Sequence, residues 1–598
     1  MKQFLKMTFA TVCGIVLFGL VTGLFFIISL VGMVASESSP VKVKDNSVFV
    51  IKLDGYVNER SSEGTPFDQL LGMNDMGTIG LDDLVASIRK AKANDNIKGI
   101  YIEGGTAAFD SPATAQQLRD ALKDFKTSGK WIVSYASTYT QGSYYVATVA
   151  NKVYLNGEGT IDLRGLGGKS EYYKGLYDKL GVKYMAAKVG KYKSYVESDT
   201  QTGMSEYDRE QRTVYLNGIW NYWLKEMAEG RGLKPEALNK LVNDSLLAFA
   251  ANEDYVKAKL VDKILFPEEI KTEVKKLLKL DEDDEVNQLT LADMLNVKSE
   301  KKDKGEKIAV YYAYGSIVDS EGMGSLTGAD HNIVGKTVAE ELRQLADDDD
   351  VKAVVFRVNS GGGSAVASEQ IRHAIKLLKA KKPVVVSMGG AAASGGYWIS
   401  TPANYIFAEP TTITGSIGIF GLIPNYSGLV TDKLGVTFDG VKTNTFSGYE
   451  YDMVFGKEPE PIMAQLQQYI NRGYQNFLNV VAEGRGLKPE QVDEIAQGRV
   501  WLASDAVKIK LVDKLGSLDD AVKKAAELAK VKEYHTANYP SEPGWFEKLM
   551  AEDSKGSYLD AELRELLGEA YLPLMQIRND LKSGSRVQAR LLDDIRVK

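Results

Sequence analysis

The chain has 598 residues, 44% of them hydrophobic and 26% charged, which excludes a globally disordered polypeptide and leaves apolar material for more than one core. A formal charge of −7 and a pI near 5.5 give no clustered basic surface, so nucleic acid is excluded as a partner. The single cysteine, Cys13, leaves the remainder without disulfides, a thiolate nucleophile or a cysteine metal site, and neither a metal nor a cofactor is expected.

In chain order, the first predicted element is a membrane span. Met7 to Ala35 carries no charge and exceeds the roughly 20 apolar residues that a bilayer requires. The apolar core of a cleaved signal peptide is shorter, about 7 to 15 residues. Lys2 and Lys6 precede the span, which favours a cytoplasmic N-terminus and places everything after residue 36 outside the cytoplasm. The expected location is the inner (cytoplasmic) membrane, single-pass, with residues 1–40 as N-terminus and anchor.

The rest of the chain is written twice. "AEGRGLKPE" occurs at Ala228–Glu236 and again at Ala482–Glu490, and "LVDKI" at Leu260 answers "LVDKL" at Leu511. A period this long means a duplicated domain, since solenoid repeats run about 20 to 50 residues. The predicted domains are 41–300 and 301–540, with the charged stretch from Leu280 to Lys307 as linker and 541–598 as a helical extension around "YLDAELRELLGEAYLPLMQIRNDLKS". In the second copy strands and helices alternate over Ala353–Val358, Ser368–Lys379, Pro383–Ser387, Gly396–Ser400 and Tyr405–Glu409, which predicts α/β domains, each with its own sheet.

Aligning the copies isolates candidate chemistry. Ser134 matches Ser387, Tyr144 matches Tyr397 and Asn151 matches Asn404, so Gln141 falls opposite Ser394 in "MGGAAASGGYWIS". The same register sets Lys193, in "GKYKSYVES", opposite Phe446. A serine unique to one copy and a lysine unique to the other suggest one composite site. A serine hydroxyl needs a base, and a lysine serves if burial brings its pKa from about 10.4 towards neutrality. The three histidines, His331, His373 and His535, sit in no triad motif, and "AASGG" lacks the first glycine of the G-x-S-x-G elbow. "VNSGGGS", Val358–Ser364, could aim glycine amides at a developing oxyanion, with the Gly395 amide as the second donor.

"RVNSGGGSAVASE", "GGAAASGGYWIS", "TITGSIGIFG" and "GKYKSYVES", with the duplication and the anchor, resemble the signal peptide peptidase A (protease IV) family in its long, two-domain form. The resemblance implies an α/β architecture of two tandem ClpP/crotonase-like domains. It also implies a serine endopeptidase with a Ser-Lys dyad that degrades released signal peptides and other apolar peptides. By motif, Ser394 would be the nucleophile, Lys193 the general base, Ser416 the residue orienting that lysine, and Gly362, Gly363 and Gly395 the oxyanion residues. A homotetramer is implied as well. One departure is visible, since Gly361 stands where the family usually has proline. Two other readings fit parts of the chain: a crotonase-like acyl-CoA enzyme, which would need no Ser394, and a catalytically decayed membrane scaffold.

Overall fold

The computed structural model describes residues 40–61, 78–298, 304–320, 331–457, 459–541 and 588–590. The predicted span lies outside them, as does the stretch of 541–598 expected to be helical; among the described residues no helix is long and apolar enough to cross a membrane.

Each copy builds a largely parallel sheet between helical layers. In the first, the strands run in the order Asn287–Leu289, Ser47–Lys52, Ile97–Glu103, Trp131–Tyr139, Lys152–Ile161 and Lys263–Ile264, all parallel. These near-continuous apolar runs are what a sheet covered on both faces demands. Phe49, Ile51, Ile100 and Ile102 pack with Leu84, Ile88, Leu118 and Leu122 on one face. Their alternates Val48, Val50, Tyr101 and Val133 pack with Ile270, Val274 and Leu278 on the other. The second copy repeats the plan around Glu306–Tyr314, Val351–Ser360 and Val384–Ala393.

The duplicated motifs turn out to be structural pairs. Arg231 binds Asp262 at 2.9 Å in the first copy and Arg485 binds Asp513 at 2.6 Å in the second, joining "AEGRG" to "LVDK" each time. The Asn151 and Asn404 carboxamides both accept from a strand N–H at 2.9 Å, from Ile132 and Val384. The Tyr144 and Tyr397 hydroxyls both donate at 2.8 Å, to the carbonyls of Leu260 and Leu511.

Element types in the second copy follow the sequence reading, while the boundaries shift. The helix expected over Ser368–Lys379 spans Ala365–Lys381, and that over Gly396–Ser400 spans Gly395–Ser400. The strand expected to end at Ser387 instead continues to Ala393, straight through the glycines. A Cβ at Gly390 would lie 2.3 Å from that of Ser111 in the first copy, so glycine lets this strand approach the other half. The expected linker is also partly folded: Asn287–Leu289 is the edge strand of the first sheet, and Leu291–Asn296 is a helix held by Leu289, Met294 and Val297 in the core. Charge patterning concealed those three apolar anchors.

The halves meet across a buried polar seam. Arg357, 1% exposed, pairs with Glu59 of the first half, and also donates to Gln117 Oε1 at 2.9 Å and Ser387 Oγ at 3.0 Å. Glu59→Ala is expected to lower stability by about 3–5 kcal/mol, because it strands a buried guanidinium. Replacing both partners with apolar residues of similar size, Glu59→Leu with Arg357→Met, should recover most of that loss; urea unfolding followed by circular dichroism measures both.

A second seam is made of backbone. Lys183–Lys188 of the first half pairs antiparallel with Phe420–Asn425 of the second. This cross-half pairing delivers the segment that follows, residues 189–194, into the second domain.

Candidate active site

The strand Val384–Ala393 ends against the helix Gly395–Ser400, and the single residue between them is Ser394. So abrupt a change of direction forces Ser394 to φ 54° and ψ −115°, a conformation that costs a residue bearing a Cβ on the order of 1–3 kcal/mol. Two backbone bonds hold it there: its N–H donates to the Gly415 carbonyl at 2.8 Å, and its carbonyl accepts from Trp398 N–H at 2.9 Å. Glycine is needed at 396, where a Cβ would lie 2.5 Å from the Ser360 carbonyl oxygen.

Lys193 arrives from the other half and is 1% exposed. The Tyr192 N–H donates to the Gln497 carbonyl at 2.9 Å, and a Cβ at Gly498 would lie 2.6 Å from Lys193 N, so the second domain clamps the lysine backbone. Its Nζ lies 2.8 Å from Ser394 Oγ, 3.0 Å from Ser416 Oγ and 3.1 Å from the Ser416 carbonyl oxygen. Burial alone brings its pKa from 10.5 to about 7. None of the three histidines touches Ser394 or Lys193.

The structure therefore brings Ser394, Lys193 and Ser416 together. Ser416 shares the left-handed backbone of Ser394, with φ 50°, and its N–H donates to the Arg499 carbonyl at 2.7 Å. Gly395 opens its helix, so its N–H has no partner within that helix. Gly362 and Gly363 form the strand Gly362–Ser364 with φ of +102° and +157°, and a Cβ at Gly363 would lie 2.0 Å from the Ile317 carbonyl oxygen. The Gly362 N–H already donates to Ser360 Oγ at 3.1 Å, and that hydroxyl donates to the Gly315 carbonyl. Gly361 is outside the left-handed set that includes Gly362 and Gly363, so the missing proline has not changed the sign of its φ.

The first half has no equivalent centre. Gln141, at the Ser394 position, accepts from the N–H groups of Arg164 and Gly165 at 3.0 and 2.8 Å and donates to the Gly165 carbonyl, closing its own turn. Phe446, at the Lys193 position, is exposed. Among the described residues no group of three or more His, Cys, Asp or Glu is placed to hold a metal ion.

Sequence reasoning missed Asn359. Its Oδ1 accepts from Ala391 N–H at 3.1 Å, tying the glycine turn to the strand that ends at Ser394, and its Nδ2 donates to Asp110 at 2.9 Å and Glu59 at 3.2 Å in the first half. The polar residue just before the turn was a signal, yet its partners lie about 250 and 300 residues away along the chain.

Fold and site together define a tandem-repeat α/β protein with one composite serine–lysine centre. The model of peptidase family S49 matches residues 124–281 and 376–532, once in each half. Protease 4 of Salmonella typhi is 38% identical over 511 residues, covering 84% of this chain and 80% of that one. Protease 4 of Haemophilus influenzae is 36% identical over 524 residues, covering 84% and 83%. The chloroplastic serine protease SPPA of Arabidopsis thaliana is 29% identical over 504 residues, covering 82% and 70%. A mutant ClpP1 from Listeria monocytogenes matches with TM-score 0.23 and 17% identity over 36% of this chain and 94% of that one. The chain belongs to peptidase family S49 and is a serine protease, as the motifs led one to expect.

Proposed function

We propose that this chain is a membrane-anchored endopeptidase that cuts released signal peptides and other apolar peptides, with Ser394 as nucleophile and Lys193 as general base. The observation that carries the reading is the 2.8 Å approach of a buried lysine amine to a buried serine hydroxyl, with no carboxylate or histidine beside them among the described residues. A neutral amine has two N–H groups and one lone pair. With both N–H groups given to the Ser416 carbonyl and hydroxyl, the lone pair faces Ser394 and takes its proton as Oγ attacks the scissile carbonyl. Ser416 thus acts as the positioning residue for Lys193.

The tetrahedral oxyanion forms between the Gly395 amide and the glycine turn at 362–363. Because Gly362 N–H is engaged by Ser360, Gly363 is the second donor of choice, and Gly362 shapes the turn. Lys193 then returns the proton to the leaving amine, and water releases the acyl group by the reverse path. Phe420, stacked on Tyr195, and Ile317 supply the apolar surroundings suited to a signal-peptide core. The anchor from Met7 to Ala35 holds this site near the membrane where such peptides arise, on the non-cytoplasmic side, and four copies assemble.

The test is hydrolysis by detergent-solubilised full-length protein of two peptides of equal length, one with a signal-peptide apolar core and one with that core made polar. The apolar peptide is expected to have the higher kcat/KM by at least about tenfold, the discrimination that a few buried methylenes provide. Equal rates would remove the substrate assignment.

A further inference from the structure

Lys193 and the two serines it touches come from opposite halves, so part of the interface has to fix the lysine segment against the strand behind Ser416. The helix Glu206–Arg231 of the first half reaches both. Its Tyr215 and Ile219 pack with Ile413, Val500 and Leu502 of the second half. Gln211 stands one turn earlier on that same face and is 3% exposed. Such a face calls for an apolar side chain, and a polar one there costs free energy unless its polar atoms find partners. Both polar atoms of the Gln211 carboxamide find them.

Its Nε2 donates to the Tyr192 carbonyl at 3.1 Å, to Ser194 Oγ at 3.2 Å and to Asp208 Oδ1 at 2.9 Å. An amide nitrogen carries two hydrogens, so these three acceptors share them. Ser194 Oγ gives its own hydrogen to Asp208 Oδ1 at 2.6 Å, which leaves it an acceptor for Gln211. On the other side, Gln211 Oε1 accepts from Val500 N–H at 3.1 Å. Val500 opposes Gly415 in the antiparallel pair of Val500–Leu502 with Ile413–Gly415. The Gly415 carbonyl takes the Ser394 N–H at 2.8 Å, and the Arg499 carbonyl takes the Ser416 N–H at 2.7 Å. One side chain thus holds the residues on either side of Lys193 and, through Val500, the backbone that seats both serines. With Ala228 in register with Ala482, the second copy also has a glutamine here, Gln465, but it is exposed, and Ile462 stands where the lysine-bearing copy has Asp208.

We propose that Gln211 is a positioning residue for the hydrolysis, whose carboxamide sets the Lys193 amine at Ser394 and Ser416 by tying residues 192–194 to Val500. The inference rests on the reading of Ser394 as nucleophile and Lys193 as base. Lys193 Nζ keeps its contacts at 2.8, 3.0 and 3.1 Å only while the segment from one half and the strand from the other hold one register. Without the tie the lysine stem shifts, its lone pair leaves the line to Ser394 Oγ, and water gains a path to the amine. A neutral replacement isolates this effect because it alters no charge nearby. Asp208 keeps Arg212 at 2.7 Å, Glu210 keeps Arg499 at 3.0 Å, Glu197 keeps the Ser205 N–H at 3.0 Å, and Lys188 still donates to the Lys193 carbonyl at 3.3 Å.

The experiment compares full-length wild type, Gln211→Leu, Gln211→Glu and Lys193→Met in detergent, by pH-dependent kinetics on an apolar peptide and by urea unfolding. Gln211→Leu should lower kcat by about 10²-fold, the cost of misplacing reacting groups by about 1 Å, with KM nearly unchanged. The midpoint of its kcat/KM profile should rise by about one pH unit, because water at the amine favours the ammonium. Gln211→Glu keeps the acceptor for Val500 N–H but sets a carboxylate against the Tyr192 carbonyl and Asp208, so its midpoint should rise at least as far. A merely structural role predicts a lower urea midpoint, with kcat per folded molecule and the pH midpoint both at wild-type values. That result in Gln211→Leu would overturn the proposal and leave the serine–lysine reading intact. Should the leucine variant not fold, Gln211→Glu decides on the same two readouts. A Lys193→Met protein that keeps its turnover would remove the serine–lysine reading, and the proposal with it.

Discussion

Ser394→Ala is expected to reduce kcat on an apolar peptide by on the order of 10⁵- to 10⁶-fold while leaving KM and folding nearly unchanged. The size of the loss follows from covalent catalysis, since no other hydroxyl can take over the attack. Ser416, also within 3.0 Å of Lys193 Nζ, follows a different strand and does not cap the helix whose first amide is Gly395. Folding survives because alanine keeps the Cβ, so the positive-φ turn is neither relieved nor worsened. Ser394→Gly should be equally inactive but more stable than the alanine variant by about 1 kcal/mol, because glycine adopts φ 54° without the Cβ penalty. Steady-state kinetics and thermal unfolding of the three proteins decide the point; an alanine variant that keeps even a hundredth of wild-type turnover would sink Ser394 as nucleophile.

The second large effect concerns the amine. If Lys193 is the base, kcat/KM should rise with pH through a midpoint near 7, falling about tenfold for each unit below it, because only the uncharged form accepts the serine proton. Lys193→Met should be inactive at every pH, and Lys193→Arg should not rescue it, since guanidinium stays protonated. Stability must move in the opposite sense to activity in the methionine variant. The folded-state pKa of about 7 lies below the ordinary 10.5, so between these values the unfolded chain binds more protons and this lysine's contribution makes folding more favourable as pH rises. Below about pH 7 both states are charged, and the folded protein carries the whole penalty of a buried ammonium, on the order of 3–5 kcal/mol. Lys193→Met should therefore stabilise the protein most in mild acid, with the gain shrinking towards pH 10.5. Urea midpoints of the two proteins at pH 6 and pH 10 give the difference. A midpoint of activity close to that of free lysine would mean the amine is solvated and the assignment wrong.

Much of the site could be read before any fold was known, because the duplication supplies its own control. Comparing the copies set Ser394 against Gln141 and Lys193 against Phe446, and the structure finds an amide locked to its own loop at one control position and an exposed ring at the other. The strand over 384–393 runs past the Ser387 expected from sequence, and the approach of Ser111 across the seam accounts for glycine at 390 within it. Asn359 and the pair of Arg357 with Glu59 were invisible for a related reason. Their partners come from the other copy, and nothing local distinguishes them from solvated residues.

What the sequence by itself determined is local and periodic: two copies, strands alternating with helices, a serine between a strand and a helix, and glycines where the backbone must turn or approach closely. The tertiary structure alone decided the state of Lys193. A lysine becomes a base only when water is removed from around it, and here that depends on Ser394, Ser416, Gly418 and Gly498, all more than 200 residues away. Desolvation is set by everything that surrounds a group at once, so no window of sequence contains it.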